Sequence, residues 1–297
     1  MANQVSVNLY TITHPLYGET VENRPLTPDS RGGANDVRHV TFQFQGPFSY
    51  QPGQSIGVLP PGNDPTSGKP HKLRLYSVSS TRLGDGGDGK TASICVVRHF
   101  WRLDAKSGER IPGVASNYLC DLKKSDQVQI TGPVGRHFLL PENHRLCDFI
   151  FVATGTGIAP YRGMLKEMFE GGFEGRVWLY FGAKFKDTVL YYCEFETYKK
   201  NKNFFYVKAI SREEQNPIPN QVPTHENRMY VQVRMHQDKE ALKEALAKSS
   251  SYIYLCGLKG MEHGIFPVLE KMGSEMGVEG SFVAKLKSEH RLRVEVY

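Results

Sequence analysis

The chain of 297 residues carries 37 Lys and Arg against 31 Asp and Glu, a formal charge of +6, and is 39% hydrophobic with 29 Gly and 17 Pro. This balance excludes a disordered, collagenous or coiled-coil protein, and the length predicts two domains. No run approaches the ~20 apolar residues that cross a bilayer, and the opening residues lack a secretory or transit pattern, so a soluble, untargeted protein is expected.

The basic excess is mild and dispersed, which argues against a nucleic-acid binder and leaves room for docking an acidic protein. Cys95, Cys120, Cys147, Cys193 and Cys256 are odd in number and form no CxxC pair. They are expected to be free thiols in a reducing compartment.

The first half reads as antiparallel β structure. Val40, Phe42 and Phe44 alternate with polar residues, the period of a half-buried strand. Similar short runs lie at 54–60, 73–79, 93–99 and 127–131, with turn-rich clusters at 60–70 and 84–90. Such punctuation predicts an antiparallel barrel or sandwich. One helix is predicted over 117–122, with Ser116 as its N-cap.

The rhythm changes near residue 145. Compact apolar runs at 149–153, 177–182, 204–210 and 252–256 predict buried strands. Tyr161, Met164, Leu165, Met168 and Phe169 follow the spacing of an amphipathic helix. A second helix is predicted at 239–248, with Glu244 paired to Lys248 one turn later. Strand alternating with helix implies a parallel sheet in an α/β domain. The break is expected around Pro141–Leu146, dividing residues 1–142 from residues 143–297.

The sharpest local signal is Gly155-Thr156-Gly157-Ile158-Ala159-Pro160, directly after a predicted strand and opening a helix. Gly155 and Gly157 allow a tight turn and close approach by a phosphate, and the helix start supplies free N–H groups. A plain strand-to-helix turn is the alternative; the βα context favours a nucleotide. No acidic residue closes the second strand, which ends in Lys184 and Lys186. Ser211-Arg212 follows the third strand, and Arg228 and Tyr230 come later. A hydroxyl, two guanidiniums and an aromatic ring favour a 2′-phosphorylated adenosine over NAD, although either Arg taken alone reads as a solvated strand end.

In the first half, Arg74 and Tyr76 alternate onto one face of a strand and Leu75 and Ser77 onto the other. An Arg beside a Tyr suits a pyrophosphate and a flat ring; an exposed Arg–Tyr pair is the plain alternative. Gly113-Val114-Ala115-Ser116 offers a second phosphate-binding helix start or merely a cap. Trp101 suits an adenine or simple packing. Cys256 reads as a buried small hydrophobe at the C-terminal edge of a strand, where α/β sheets bind ligands. No nucleophile triad and no metal-ligand spacing is visible.

Taken in order, GQSIGVLPPG (53–62), GKPHKLRLYS (68–77), GVASNYL (113–119), ITGPVG (130–135), GTGIAP (155–160), AISRE (209–213), RMYVQ (228–232), CGLKGM (256–261) and VEVY (294–297) form a specific series. From about Val5 to Tyr297 the chain resembles the plant-type (plastidic-type) ferredoxin–NADP(H) reductases. The resemblance implies an antiparallel β-barrel FAD domain followed by a Rossmann-like NADP(H) domain. It implies FAD contacts from Arg74, Leu75, Tyr76 and Ser77, with Tyr76 stacked on the flavin. Cys95 and Val96 would line the flavin by their backbone, Trp101 would stack the adenine, and Gly113, Val114, Ala115 and Ser116 would hold the pyrophosphate. Thr156 and Tyr297 would also meet the flavin.

For NADP(H), the resemblance implies Gly155, Thr156 and Gly157 at the loop and Ser211, Arg212, Arg228, Tyr230 and Gln232 at the 2′-phospho-AMP end. Cys256, Gly257 and Leu258 would also contact NADP(H), and Thr156, Ser77, Cys256 and Glu295 would surround the nicotinamide and flavin N5. Ser77, Cys256, Glu295 and Tyr297 are implied as the catalytic set. Lys69, Lys72, Arg74, Arg136 and Lys287 would dock an acidic ferredoxin and/or flavodoxin. A monomer without metal, nucleic acid or membrane segment is expected, in a bacterial cytoplasm or, for a trimmed plastid protein, the stroma.

The chain departs from the pattern at four places. Val97 stands where a basic residue is usual, Ala115 where Cys is common, Leu292 where an aromatic is common, and 183–188 lacks a proline turn. Two other readings make different predictions. A flavin-free NADP dehydrogenase would be colourless, and a nucleic-acid-binding barrel would bind random DNA or RNA with steep salt dependence.

Overall fold

Val40, Phe42 and Phe44 are buried in one strand as the alternation predicts, but Thr41 between them is buried too. The reason is a second, polar layer beneath that strand, described below. The computed structural model describes residues 5–31, 35–102 and 110–297. It resolves into two units, one running to Leu140 with Ala159–Glu167 added, the other comprising Pro141–Ile158 and Met168–Tyr297.

In chain order the first unit holds β1 (Leu16–Pro25), β2 (Val37–Phe44), β3 (Ser55–Leu59), β4 (Arg74–Ser77), β5 (Thr91–Val97), β6 (Phe100–Arg102), β7 (Arg110–Pro112), α1 (Val114–Asp121) and β8 (Gln127–Val134). Six strands pair antiparallel in the order β4-β3-β8-β1-β2-β5. The two edges then meet, because Val78 beyond β4 bridges Ile94 of β5 and the Ser79 N–H donates to the Ser93 carbonyl at 2.7 Å. The sheet closes into the expected antiparallel barrel, around Val40, Phe42, Ile56, Val58, Ile94 and Ile130. Each such side chain contributes about 1.5–3 kcal/mol by leaving water. The strand β1 carries Glu19, Glu22, Asn23 and Arg24, so no apolar alternation announces it; its place between β8 and β2 makes it a strand.

The polar layer joins His39, Thr41, Asp85, Ser93 and Arg162. Arg162 Nη1 donates to Asp85 at 2.7 Å and to the Ser79 carbonyl at 3.0 Å, while His39 Nε2 lies 3.0 Å from the same carboxylate. Ser93 adds a bond at 2.6 Å. Burial alone would raise the Asp85 carboxyl, but the His39 bond, the Arg162 charge and the Ser93 bond hold it well below the usual carboxylate range. Burial pushes the His39 imidazole down. Removing one partner from such a buried pair costs about 3–5 kcal/mol.

The chain continues with β9 (Asp148–Thr154), α2 (Ala159–Glu170), β10 (Val177–Ala183), α3 (Tyr192–Tyr198), β11 (Phe204–Ile210), α4 (Val231–Gln237), α5 (Lys239–Leu246), β12 (Ser251–Gly257), α6 (Met261–Glu275), α7 (Phe282–Ser288) and β13 (Leu292–Val296). Five of these strands run parallel in the order β11-β10-β9-β12-β13. The chain leaves β9 toward β10 on one side and later returns to β12 on the other. The order therefore reverses between β9 and β12, the place where open α/β sheets bind ligands. Ile150, Val152, Tyr180, Ile253 and Leu255 form the core beneath the helices, as their apolar runs predict.

Two local expectations need correction. The first helix begins at Val114 with Gly113 as its cap, so Ser116 lies inside it. Its hydroxyl donates to the Gly113 carbonyl at 3.3 Å and accepts from the His99 N–H at 3.2 Å. Glu244 and Lys248 do not pair, because α5 ends at Leu246. Glu244 instead accepts from Arg176 and Lys248 donates to the buried Asp148, where a charge gains more from a partner.

Candidate functional site

The switch point is built from two chain turns in the second unit. Gly157 packs so closely on β12 that a Cβ there would stand 2.1 Å from the Cys256 carbonyl oxygen. Gly257, at φ +146°, would place one 2.2 Å from Thr154 Oγ1. Only glycine fits either position. Gly155 differs, since a Cβ there would meet nothing within 4 Å. Gly157 thus serves the packing of the turn, while Gly155 borders open space. Thr154 Oγ1 also accepts from the Leu258 N–H at 3.0 Å, fixing the exposed Leu258 beside the loop.

The chain terminus reaches the same place. β13 lies parallel to β12 with Glu295 opposite Cys256. The Tyr297 N–H donates to the Gly257 carbonyl at 3.0 Å, the Lys259 N–H donates to the Tyr297 carbonyl at 2.9 Å, and the Tyr297 hydroxyl lies 2.5 Å from Thr156 Oγ1. Burial pushes the Cys256 thiol well above its ordinary value, with the Glu295 charge adding to the shift. Burial likewise raises the Glu295 carboxyl to about 6. Cys256 is therefore a neutral thiol at pH 7, and Glu295 is an acid that titrates close to neutrality.

At the ends of β10 and β11 the Ser211 N–H donates to Ala183 and the Arg212 N–H to Lys184, each at 2.9 Å. Arg212 itself is exposed. Arg228 and Tyr230 are half-buried, Tyr230 as the cap of α4. Gln232 packs on α6, where a Cβ at Gly264 would stand 2.6 Å from its Nε2.

In the first unit, Tyr76 is half-buried against the barrel core and burial raises its phenol, while Arg74 and Leu75 are exposed. The expected split of this strand into two faces is not seen in its exposure. Ser77 is half-buried, opposite Ser55. Cys95 and Val96 are buried, which leaves their backbone as the means of contact. Trp101 is 62% exposed, and its cross-strand partner Ile111 is exposed as well. Such uncovered apolar surface suits a flat ring. The N–H groups of Val114, Ala115 and Ser116 open α1 without intrahelical acceptors, a start suited to a phosphate. Arg98, beside Val97, does not supply the missing basic contact: it is committed to Asp36 at 2.9 Å and Asp121 at 2.8 Å.

Lys69, Lys72 and Arg136 are exposed on turns flanking β4 and β8. Lys287 belongs to the second unit, with its ammonium over the Phe266 ring at 4.8 Å. All five cysteines are free, and among the described residues no group of His, Cys, Asp and Glu is placed to hold a metal. No helix among them is long and apolar enough to cross a membrane. Sequence reasoning missed Thr154 and Glu226; the latter is described below.

The family model for an oxidoreductase NAD-binding domain matches residues 151–266. A ferredoxin–NADP reductase of Synechocystis sp. is 41% identical over 305 residues, covering 100% of this chain and 71% of that protein. A chloroplastic ferredoxin–NADP reductase of Mesembryanthemum crystallinum is also 41% identical, covering 100% of this chain and 80% of its own. The chain belongs to the ferredoxin–NADP reductase family. Among solved structures, a ferredoxin–NADP⁺ reductase from Plasmodium falciparum matches 98% of this chain and 99% of its own at 27% identity, with a TM-score of 0.75. The Plasmodium reductase with 2′P-AMP matches the same shares at 25% identity and a TM-score of 0.74.

Proposed function

We propose that the chain is an FAD-dependent ferredoxin–NADP⁺ reductase, exchanging electrons between NADP(H), as a hydride, and ferredoxin or flavodoxin, one electron at a time. One observation carries this reading. A chain that is 41% identical, over 100% of its residues, to a ferredoxin–NADP reductase has two separate features suited to nucleotides, a helix start with an exposed Trp101 in its barrel unit and a glycine turn at the switch point of its parallel sheet.

The barrel unit would hold FAD through Arg74, Leu75, Tyr76, Ser77, Cys95, Val96, Trp101 and the Gly113–Ser116 start of α1. When bound, FAD supplies the exchange between two-electron and one-electron transfer. Ser211, Arg212, Arg228, Tyr230 and Gln232 would take the 2′-phosphoadenosine end of NADP(H), because guanidiniums give a phosphate charge-assisted bonds. Gly155, Thr156, Gly157 and Cys256–Leu258 would receive the remainder. Cys256, as a neutral thiol, offers a small weakly polar wall. Glu295 holds a proton or releases it near neutral pH. Lys69, Lys72, Arg74, Arg136 and Lys287 would attract an acidic carrier.

We infer further that the protein acts as a monomer in the cytoplasm or, for a plastid protein, the stroma. The reading is tested by steady-state reduction of purified ferredoxin with NADPH and with NADH. It predicts turnover with NADPH that far exceeds turnover with NADH and that depends on added ferredoxin. Equal use of both coenzymes, or no transfer to ferredoxin or flavodoxin, would overturn it.

A further inference from the structure

The arginine assigned to the 2′-phosphate already has a carboxylate partner. Arg228 Nη2 donates to the Oε2 of Glu226, two residues upstream, and the other oxygen of that carboxylate lies 3.7 Å from His225 Nδ1. The backbone around this pair is unusual. Glu226 and Asn227 both stand in the left-handed region at φ 52°, where residues with a Cβ are disfavoured.

Several bonds hold the loop in that shape. The Asn216 N–H donates to the Asn227 carbonyl at 2.6 Å, and its side-chain amide donates to Val222 at 2.7 Å. Thr224 Oγ1 donates to the Arg228 carbonyl at 2.8 Å, and the Met229 N–H donates to Glu214 at 3.0 Å. Asn216 is buried, so these anchors are part of the fold. A tied, left-handed backbone thus aims a half-exposed carboxylate at the guanidinium that the coenzyme needs.

We propose that Glu226 is an internal competitor for the 2′-phosphate of NADP(H) at Arg228. The inference rests on the assignment of Arg228 to that phosphate. A phosphate monoester carries about −1.5 to −2 charge at neutral pH and outcompetes a carboxylate for one guanidinium. Binding must nevertheless break the Glu226–Arg228 pair first. The displaced carboxylate remains beside the new dianion because its backbone is tied, and like charges repel. Both effects weaken the bound state. Glu226 therefore holds the affinity for 2′-phosphorylated nucleotides below what the arginines alone would give, and it speeds their release. The opposite role, a carboxylate that positions Arg228 for the phosphate, predicts the opposite sign and is distinguished by the test.

The test is calorimetric binding of 2′-phospho-AMP, with 5′-AMP as the probe lacking the 2′ group, to the flavin-loaded protein. Glu226→Gln removes the charge at constant size, and Glu226→Asn suits the left-handed backbone while shortening the reach. Both are expected to bind 2′-phospho-AMP about three- to tenfold more tightly than the parent, as loss of an exposed ion pair and of a like charge implies. Binding of 5′-AMP should not change, and the gain should vanish when Arg228→Ala is added. If Arg228→Ala weakens 2′-phospho-AMP while both Glu226 variants bind it no tighter, the competitor role is wrong and the clamp stands. If Arg228→Ala leaves 2′-phospho-AMP binding unchanged, the clamp assignment fails and takes this inference with it.

Discussion

The hydroxyl of Tyr297 lies 2.5 Å from the Oγ1 of Thr156, tying the last residue of the chain to the glycine turn at the switch point. Backbone bonds to Gly257 and from Lys259 hold the terminus in place, while Tyr297 remains 55% exposed. The proposed nicotinamide surface, Thr156 and Cys256–Leu258, is the surface this ring borders. On that proposal, ring and nicotinamide would compete for it.

Tyr297→Ser is therefore expected to tighten NADP⁺ binding and slow its release, lowering steady-state turnover. The resemblance implies that this ring would stack on the flavin; aromatic stacking contributes ~0.5–1.5 kcal/mol beyond area burial, so the gain should be about two- to tenfold. Tyr297→Phe keeps the ring and loses only the bond to Thr156, so its effect should be mild. Titrating NADP⁺ against each variant checks both, and no tightening in Tyr297→Ser would remove the competition from the account.

Coenzyme choice should respond to Arg212. Arg212 is exposed, with its backbone bonded to Lys184, and its guanidinium would form charge-assisted bonds to the 2′-phosphate. Arg212→Ala is expected to raise the KM for NADPH by about tenfold and leave that for NADH nearly unchanged. Equal losses with both coenzymes would show that Arg212 does not read the phosphate.

Glu295 should make stability depend on pH in an unusual direction. Its folded carboxyl is raised from 4.5 to about 6 by burial, so between these values the folded protein binds more protons than the unfolded chain. Stability then falls as pH rises through this window, by about 2 kcal/mol in total, and the contribution is fully present below pH 4.5. Glu295→Gln removes the titration. Denaturant unfolding from pH 4 to 8 should show the variant gaining on the parent toward neutral pH; parallel curves would mean that Glu295 is not raised.

Partner docking should depend on charge. Lys72 is exposed on the turn before β4. Lys72→Glu is expected to slow electron transfer to ferredoxin several-fold at low salt, with a smaller loss at high salt, and to leave NADPH–ferricyanide activity intact. The exposed Lys202→Glu is the control, and equal losses from the two variants would place docking elsewhere.

Much of this architecture is legible from residue patterns because burial and turn geometry leave local marks. Val40, Phe42 and Phe44 mark a barrel strand, the 149–153 and 252–256 runs mark the centre of the parallel sheet, and Gly155 and Gly157 mark the turn between strand and helix. The strand β1 left no such mark, since polar residues fill it and its neighbours make it a strand. Gly113 replaced Ser116 as a helix cap because Ser116 serves the His99 backbone instead. The pairing of Cys256 with Glu295 depends on the register of two strands far apart in sequence. The contact of Glu226 with Arg228 depends on two left-handed residues that no composition signals.

The most direct test of the central claim is the visible absorption spectrum of the purified protein during anaerobic titration with NADPH. The account predicts a yellow protein whose released cofactor is FAD, about one per chain, and whose flavin absorption is bleached by NADPH and only weakly by NADH. A colourless protein that still binds NADPH, or a flavin that NADPH does not bleach, would contradict it.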